Sequence, residues 1–181
     1  MHPIGERAAM RINHRELEIK RTFTVNKPIH EVWDVLGNRF GEAYKWATGI
    51  YHSAGYGVPQ TEGASCNNRA CATSQGNIKE AIRTFDVRNY HLEYEVVEGF
   101  PGFVKKGGNN WRLSSKGART QVDIHFIVET QGIMGFIMSP LMKKQLGKVF
   151  DQAVLDFKYY VETGQPSPVK TKENAKRAKA A

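Results

Sequence analysis

Two charged side chains stand where the surrounding pattern asks for apolar ones, and they are the first place to look for chemistry. In LEIKRTFTV, residues 17–25, Leu17, Ile19, Phe23 and Val25 alternate with polar residues, and Arg21 interrupts the apolar face. In NIKEAIRTF, residues 77–85, Glu80 shares its parity with Ile78, Ile82 and Thr84. Successive strand residues point to opposite faces, so both charges are expected on the side that carries the core. A charge there is costly unless it is matched. Arg21 and Glu80 are therefore expected to meet each other, to hold a polar group of a ligand, or to sit near solvent at a strand end. A carboxylate in an apolar pocket could also act as a base, because desolvation disfavours its charged form.

The same parity rule turns Tyr94 inward with Leu92 and Val96, and Asn109 and Trp111 inward with Leu113. It also turns Ile124 and Phe126 inward with Val122 and Val128. Tyr94 and Trp111 each combine an apolar body with one polar atom, which suits a pocket wall as well as plain packing. Arg69 lies in SCNNRACA, a run too polar for parity to decide its face. No HExxH, GxSxG, Walker loop or GxGxxG after a strand occurs, and the six His are scattered at 2, 14, 30, 52, 91 and 125. Metal and nucleotide chemistry are not expected, no cofactor is implied, and no catalytic residue is assigned.

Positioning these side chains requires a sheet. Strand-like runs fall at 17–25, 49–56, 66–74, 77–87, 90–98, 105–115 and 119–130, separated by the turn signals VPQTEG, SQGN, DVRN, EGFPG and SKGA. Between the first two runs, Asn26 and Pro28 announce a short helix with Ile29, Val32, Trp33 and Leu36 on one side, and a second helical piece surrounds Gly41–Trp46. The last element is MSPLMKKQLGKVFDQAVLDFKYYVETG, residues 138–164. Pro140 suits a first helical position, and Gly164 with Pro166 marks the stop. Met142, Leu146, Val149, Phe150, Ala153, Val154, Phe157 and Val161 form one apolar stripe long enough to need a whole sheet as its cover. The expected fold class is α+β, an antiparallel meander curled around the closing helix.

VNKPIHEVWDVLGNRFGEAYKWATGI, RACATSQGNIKEAIRTFDVRNYHLEYEV, WRLSSKGARTQVDIHF and the closing helix together resemble the START-like superfamily of polyketide-cyclase-related and SRPBCC proteins, over about residues 17–163. The resemblance implies a helix-grip fold, with a seven-stranded sheet wrapped around the long helix, two short helices between strands 1 and 2, and a cavity between sheet and helix. It implies binding of a hydrophobic small molecule or lipid, and it matches Glu80 to an inward glutamate that contacts ligand in plant hormone receptors of the superfamily. Arg21, Glu80, Tyr94, Asn109, Trp111, Ile124, Phe126, Met142, Leu146 and Val149 are the expected ligand-facing residues. Two other functions remain open: a polyketide cyclase or dehydratase acting through Glu80, Tyr94 or Arg21, and a protein-interaction module.

In such a meander EGFPGFVKK, residues 98–106, and GIMGFIMS, residues 132–139, gather at one end. Phe100, Phe103 and Phe136 are expected at the cavity mouth, folded in as a lid, touching a membrane beside Lys105 and Lys106, or forming a dimer contact. The chain is expected as a monomer or homodimer. Half of its net charge of +8 sits at one end, since residues 166–181 hold five Lys or Arg against one Glu. That composition reads as a disordered basic tail over 165–181, with an N-terminal extension over 1–16 and one domain over 17–164, and gives no ground for a specific nucleic-acid partner. No run of 18 apolar residues and no secretory signal appears, and Cys66 and Cys71 read as free thiols, so the cytoplasm is the expected location.

Overall fold

The computed structural model describes residues 14–180. Seven strands follow the turn signals: β1 (His14–Val25), β2 (Ile50–Tyr56), β3 (Asn68–Thr73), β4 (Gly76–Asp86), β5 (His91–Glu98), β6 (Val104–Lys116) and β7 (Arg119–Gln131). They form one antiparallel sheet in the order β1-β7-β6-β5-β4-β3-β2, a meander in which the first strand returns beside the last. Between β1 and β2 lie α1 (Ile29–Trp33), a wide π-type turn over Asp34–Asn38 and a 3-10 helix over Phe40–Lys45. Gly41 lets that 3-10 helix rest on β2, because a Cβ there would stand 2.6 Å from the backbone nitrogen of Gly55. The long helix α2 (Gly132–Thr163) crosses the inner face and ends at Gly164, whose φ of 73° suits glycine. This is the helix-grip arrangement expected.

The inner-face parity holds along β5, β6 and β7, where Leu92, Tyr94, Trp111, Leu113, Val122, Ile124, Phe126 and Val128 are all buried. Phe157 of α2 is the hub of the core, with Trp46, Trp111 and Phe23 packed on its ring at 5.1, 5.5 and 6.4 Å. On β4 the parity fails after Ile82. Ile82 pairs with Tyr94 but Thr84 pairs with Glu93, so the extra residue Arg83 forms a bulge and turns Phe85 inward in place of Thr84.

Two expectations at the ends of α2 need correction. The helix starts at Gly132, before the Pro140 cue, so Pro140 lies inside it and GIMGFIMS is helical. Proline cannot donate to the carbonyl one turn back, so a local reading places a helix start there. Tertiary contacts override that reading: Ser139 Oγ donates to Gly135 O at 2.5 Å and lies 3.1 Å from Thr130 Oγ1, while Gly135 nestles against Thr130 and the Phe103 carbonyl.

The basic tail is not a disordered strand of charge either. Ser167 caps a helix, α3 (Pro168–Ala178), with Pro168 in its first turn. Lys170 is 1% exposed; its Nζ donates to Ile50 O at 2.6 Å and to Glu173 Oε2 at 2.8 Å. Asp156, fully buried on α2, accepts from Thr48 N at 2.9 Å, from Gln152 Nε2 at 2.8 Å and from Ser167 Oγ. Charge composition alone misses this helix because what docks it is the buried Lys170, together with Arg177, whose Nη1 donates to Tyr51 O at 3.2 Å, and these partners lie far away in sequence. The expected extension over 1–16 falls outside the described residues except for His14–Glu16, which begin β1.

Candidate functional site

The short turn Ser74-Gln75 pairs Thr73 with Gly76, and counting back along both strands puts Arg69 opposite Glu80. Both face inward and both are 5% exposed. Arg69 Nε donates to Glu80 Oε2 at 2.7 Å, Nη2 lies 2.7 Å from the same oxygen, and Nη1 donates to Phe40 O at 2.8 Å. The guanidinium lies over the rings of Phe40 at 4.0 Å and Tyr94 at 5.1 Å. Burial works against its charge, but the pull of the Glu80 carboxylate outweighs this and holds Arg69 more firmly protonated than a free arginine. Cys71 Sγ is 3.5 Å from Glu80 Oε2. Burial, reinforced by the Glu80 charge, pushes the Cys71 thiol up to about 12 and the Tyr94 hydroxyl up to about 12.

This ion pair sits in the wall of a cavity of about 150 Å³ between the sheet and α2. The floor is Tyr94, Asn109 and Trp111 from β5 and β6; the segment Val35–Ile50 supplies Leu36, Phe40, Trp46 and Thr48; α2 supplies Val149, Phe150 and Ala153. Val149 is 47% exposed, so the cavity opens past that side chain. A wider depression of about 340 Å³ lies on the outer face of the sheet, lined by Glu16, Arg83, Glu93, Glu95, Lys106 and Glu129 among others. It is open to water and its charges have neighbours of their own, such as Arg83 and Glu95 at 3.0 Å, so the inner cavity is the better candidate site.

Of the ligand-facing residues expected from the sequence, the cavity brings together Glu80, Tyr94, Asn109, Trp111 and Val149. Arg21 is not among them. It lies at the sheet edge under α2, where Nε donates to Asp151 Oδ1 at 2.7 Å and Nη2 to Gly147 O at 3.4 Å. An edge strand lets a long side chain reach around to the helix, so the interrupted apolar face of β1 needs no ligand. Ile124 and Phe126 are core residues outside the lining, Phe126 packing on Phe150 at 4.9 Å. Met142 and Leu146 are half-buried against the core nearer the start of α2. Arg69, Phe40, Trp46 and Thr48 are among the lining residues that sequence reasoning left open or missed. The two-residue turn was the available signal for Arg69.

The expected mouth residues do not line the cavity. Phe100 and Phe103 are half-buried against the core, and Phe100 covers Gly107, where a Cβ would stand 2.5 Å from its ring. Phe136 is exposed, with the Arg15 guanidinium 5.4 Å above its ring. Ile133, Met134, Ile137 and Leu141 are exposed on the same first turns of α2. The expected gathering of the two segments is real, since Gln131 N donates to Phe103 O at 2.8 Å, but it forms a separate apolar prominence rather than a gate. Among the described residues no cluster of three metal-ligating side chains occurs, and no helix is long and apolar enough to cross a membrane.

The family described as polyketide cyclase / dehydrase and lipid transport matches residues 16–162. The chain belongs to that family. The fold is shared across the START-like superfamily. Norcoclaurine synthase of Thalictrum flavum is similar over 82% of this chain and 95% of its own, with a TM-score of 0.64 at 11% identity. The Zhui aromatase/cyclase of Streptomyces sp. R1128 is similar over 84% and 100%, with a TM-score of 0.62 at 14% identity. A START superfamily protein of Mycobacterium smegmatis is similar over 80% and 97%, with a TM-score of 0.62 at 15% identity. At such identities these likenesses speak for the START-like fold alone. Among curated protein sequences none matches the chain.

Proposed function

We propose that this START-like protein binds and carries a hydrophobic small molecule or lipid in the cavity between the sheet and α2. The observation that carries the reading is the closed Arg69–Glu80 pair in an aromatic wall. Glu80 is matched by a buried guanidinium, and Tyr94 and Cys71 both hold their protons well above neutrality. Near pH 7 the cavity therefore offers shape, aromatic faces and hydrogen-bonding groups, which suffice for binding, and no free base.

A cyclase- or dehydratase-type reaction is the second reading. It is favoured by one detail: the hydrogen bonds found for Glu80 all end on Oε2, leaving Oε1 without a partner among the described residues. The exposed apolar turns at Ile133–Leu141, followed by Lys143, Lys144 and Lys148, support contact with an anionic membrane surface, where a carrier would collect or deliver an apolar cargo. The buried free thiols Cys66 and Cys71 support a reducing setting such as the cytoplasm.

Native mass spectrometry of the purified protein tests the central claim. A co-purified organic mass is expected, and it should be lost in Ala153→Phe, which fills the cavity from α2. Retention of that mass by a folded Ala153→Phe protein would place the ligand elsewhere. Release of a chemically altered compound after incubation would favour the enzyme over the carrier.

A further inference from the structure

We propose that α3 is a strap on the cavity: it fastens the wall segment Thr48–Tyr51 beside α2, and its undocking sets how fast a ligand enters and leaves. The proposal rests on the cavity being the binding site and concerns what governs passage into it.

This segment is where the wall needs holding. Thr48 and Ile50 line the cavity, and Gly49 between them has a φ of 87°, a backbone state in which glycine pivots at little cost. β2 is the last strand of the sheet, and its pairing with β3 is interrupted between Ile50 and His52, so the ladder grips this end loosely. Fastening comes from the helices. Thr48 N donates to Asp156 on α2, three residues beyond the lining residue Ala153. Gly49 N donates to Glu173 Oε1 at 2.9 Å, Ile50 O accepts from Lys170 Nζ, and Tyr51 O accepts from Arg177 Nη1, with that guanidinium 4.0 Å above the Tyr51 ring. Three consecutive wall residues are thus tied to one face of α3, through positions 170, 173 and 177. Ser167, the cap of α3, donates to Asp156 as well, so one buried carboxylate joins wall, α2 and strap.

The way α3 is held decides that it can let go. Pro168, Val169, Ala175 and Ala178 are exposed, and the buried side chain of the helix is that of Lys170. Docking therefore rests on hydrogen bonds and ion pairs, whose net worth is modest because water replaces them, with almost no apolar area to hold the helix down. Elements of this kind open locally, well below the free energy of global unfolding. α3 also lies beyond the residues matched by the family, and no described residue after Ala153 lines the cavity. A strap that fastens the wall without touching the ligand changes the barrier for entry and exit alike. It alters both rates and leaves affinity nearly unchanged.

Fluorobenzene is a probe of the size that a cavity of about 150 Å³ holds. Fluorine NMR with the full chain reads its affinity by titration and its exchange by line shape, and amide hydrogen exchange reads the docking of α3. In the wild type the Gly49 amide should exchange together with the amides of α3, ahead of those of β7. Lys170→Met should deprotect α3 and raise the dissociation rate of fluorobenzene at least ~10-fold, with Kd changed less than ~3-fold. Arg177→Ala removes an exposed tie; it should act in the same direction by a smaller factor, and it decides the matter if Lys170→Met does not fold. An unchanged dissociation rate in a variant whose α3 has lost protection overturns the strap while leaving the cavity as a binding site. Full protection of α3 in a folded Lys170→Met protein, or a Gly49 amide that exchanges only with β7, also overturns it. If fluorobenzene binds neither wild type nor variant, the cavity reading itself falls, and control of passage falls with it.

Discussion

Replacing Glu80 by Gln should be among the most damaging single changes in the molecule, although it alters one atom. The carboxylate takes two nitrogens of Arg69 at 2.7 Å in a site where both residues are 5% exposed. Without its charge the guanidinium stays buried and protonated, since arginine does not shed its proton, and only neutral acceptors, the Phe40 carbonyl at 2.8 Å and the new amide oxygen, are left to it. Removing one partner of a buried ion pair costs about 3–5 kcal/mol. Arg69→Met should cost at least as much, because it strands a carboxylate and also releases the Phe40 carbonyl, a further loss of about 1–3 kcal/mol. In the double variant the two stranded charges vanish together, and an apolar thioether can still lie between Phe40 and Tyr94. Its cost should therefore be smaller than the sum of the single costs by at least ~2 kcal/mol. Urea unfolding of the four proteins measures all three differences. Additive costs, within ~0.5 kcal/mol, would show that Arg69 and Glu80 do not depend on each other and would sink the account of a closed pair.

Asp156→Ala should detach α3 from α2 by removing the acceptor of Thr48 N, Gln152 and Ser167; limited proteolysis should then cut near residues 164–168, and uncut variant protein would argue that α3 is held by other contacts. Tyr94 and Cys71 have their folded-state values raised to about 12 from 10 and 9, so the unfolded chain loses these protons first as pH rises. Stability should be full below about pH 9 and decline toward pH 12, with Tyr94 contributing on the order of 3 kcal/mol of that fall. Tyr94→Phe should flatten the decline between pH 10 and 12, and an unchanged slope would contradict the assignment. Flotation with vesicles containing anionic lipid should recover the wild-type chain and recover little of an Ile133→Ser, Phe136→Ser, Ile137→Ser variant; equal recovery would remove the membrane contact.

Much of the architecture was legible in local pattern. Turn signals together with period-two alternation marked the seven strands, the three-and-four spacing from Met142 to Val161 marked the helix that needs a sheet as cover, and parity turned Glu80, Tyr94, Asn109 and Trp111 inward. These features depend on which way each residue points along its own element, and that is set by backbone geometry of a few neighbouring residues. The tertiary structure decided what each inward group meets. Arg21 found Asp151 and Arg69 found Glu80, because β1 lies at the sheet edge under α2 while β3 lies directly beside β4. One bulged residue at Arg83 exchanged Thr84 for Phe85, a change of face that no periodicity anticipates. Pro140 was absorbed into a helix and the basic tail became α3, since Thr130, Asp156, Ile50 and Gly49 supply partners far away in sequence. Partner choice and cavity size arise where several elements converge, and convergence is a property of the packed molecule rather than of any one segment.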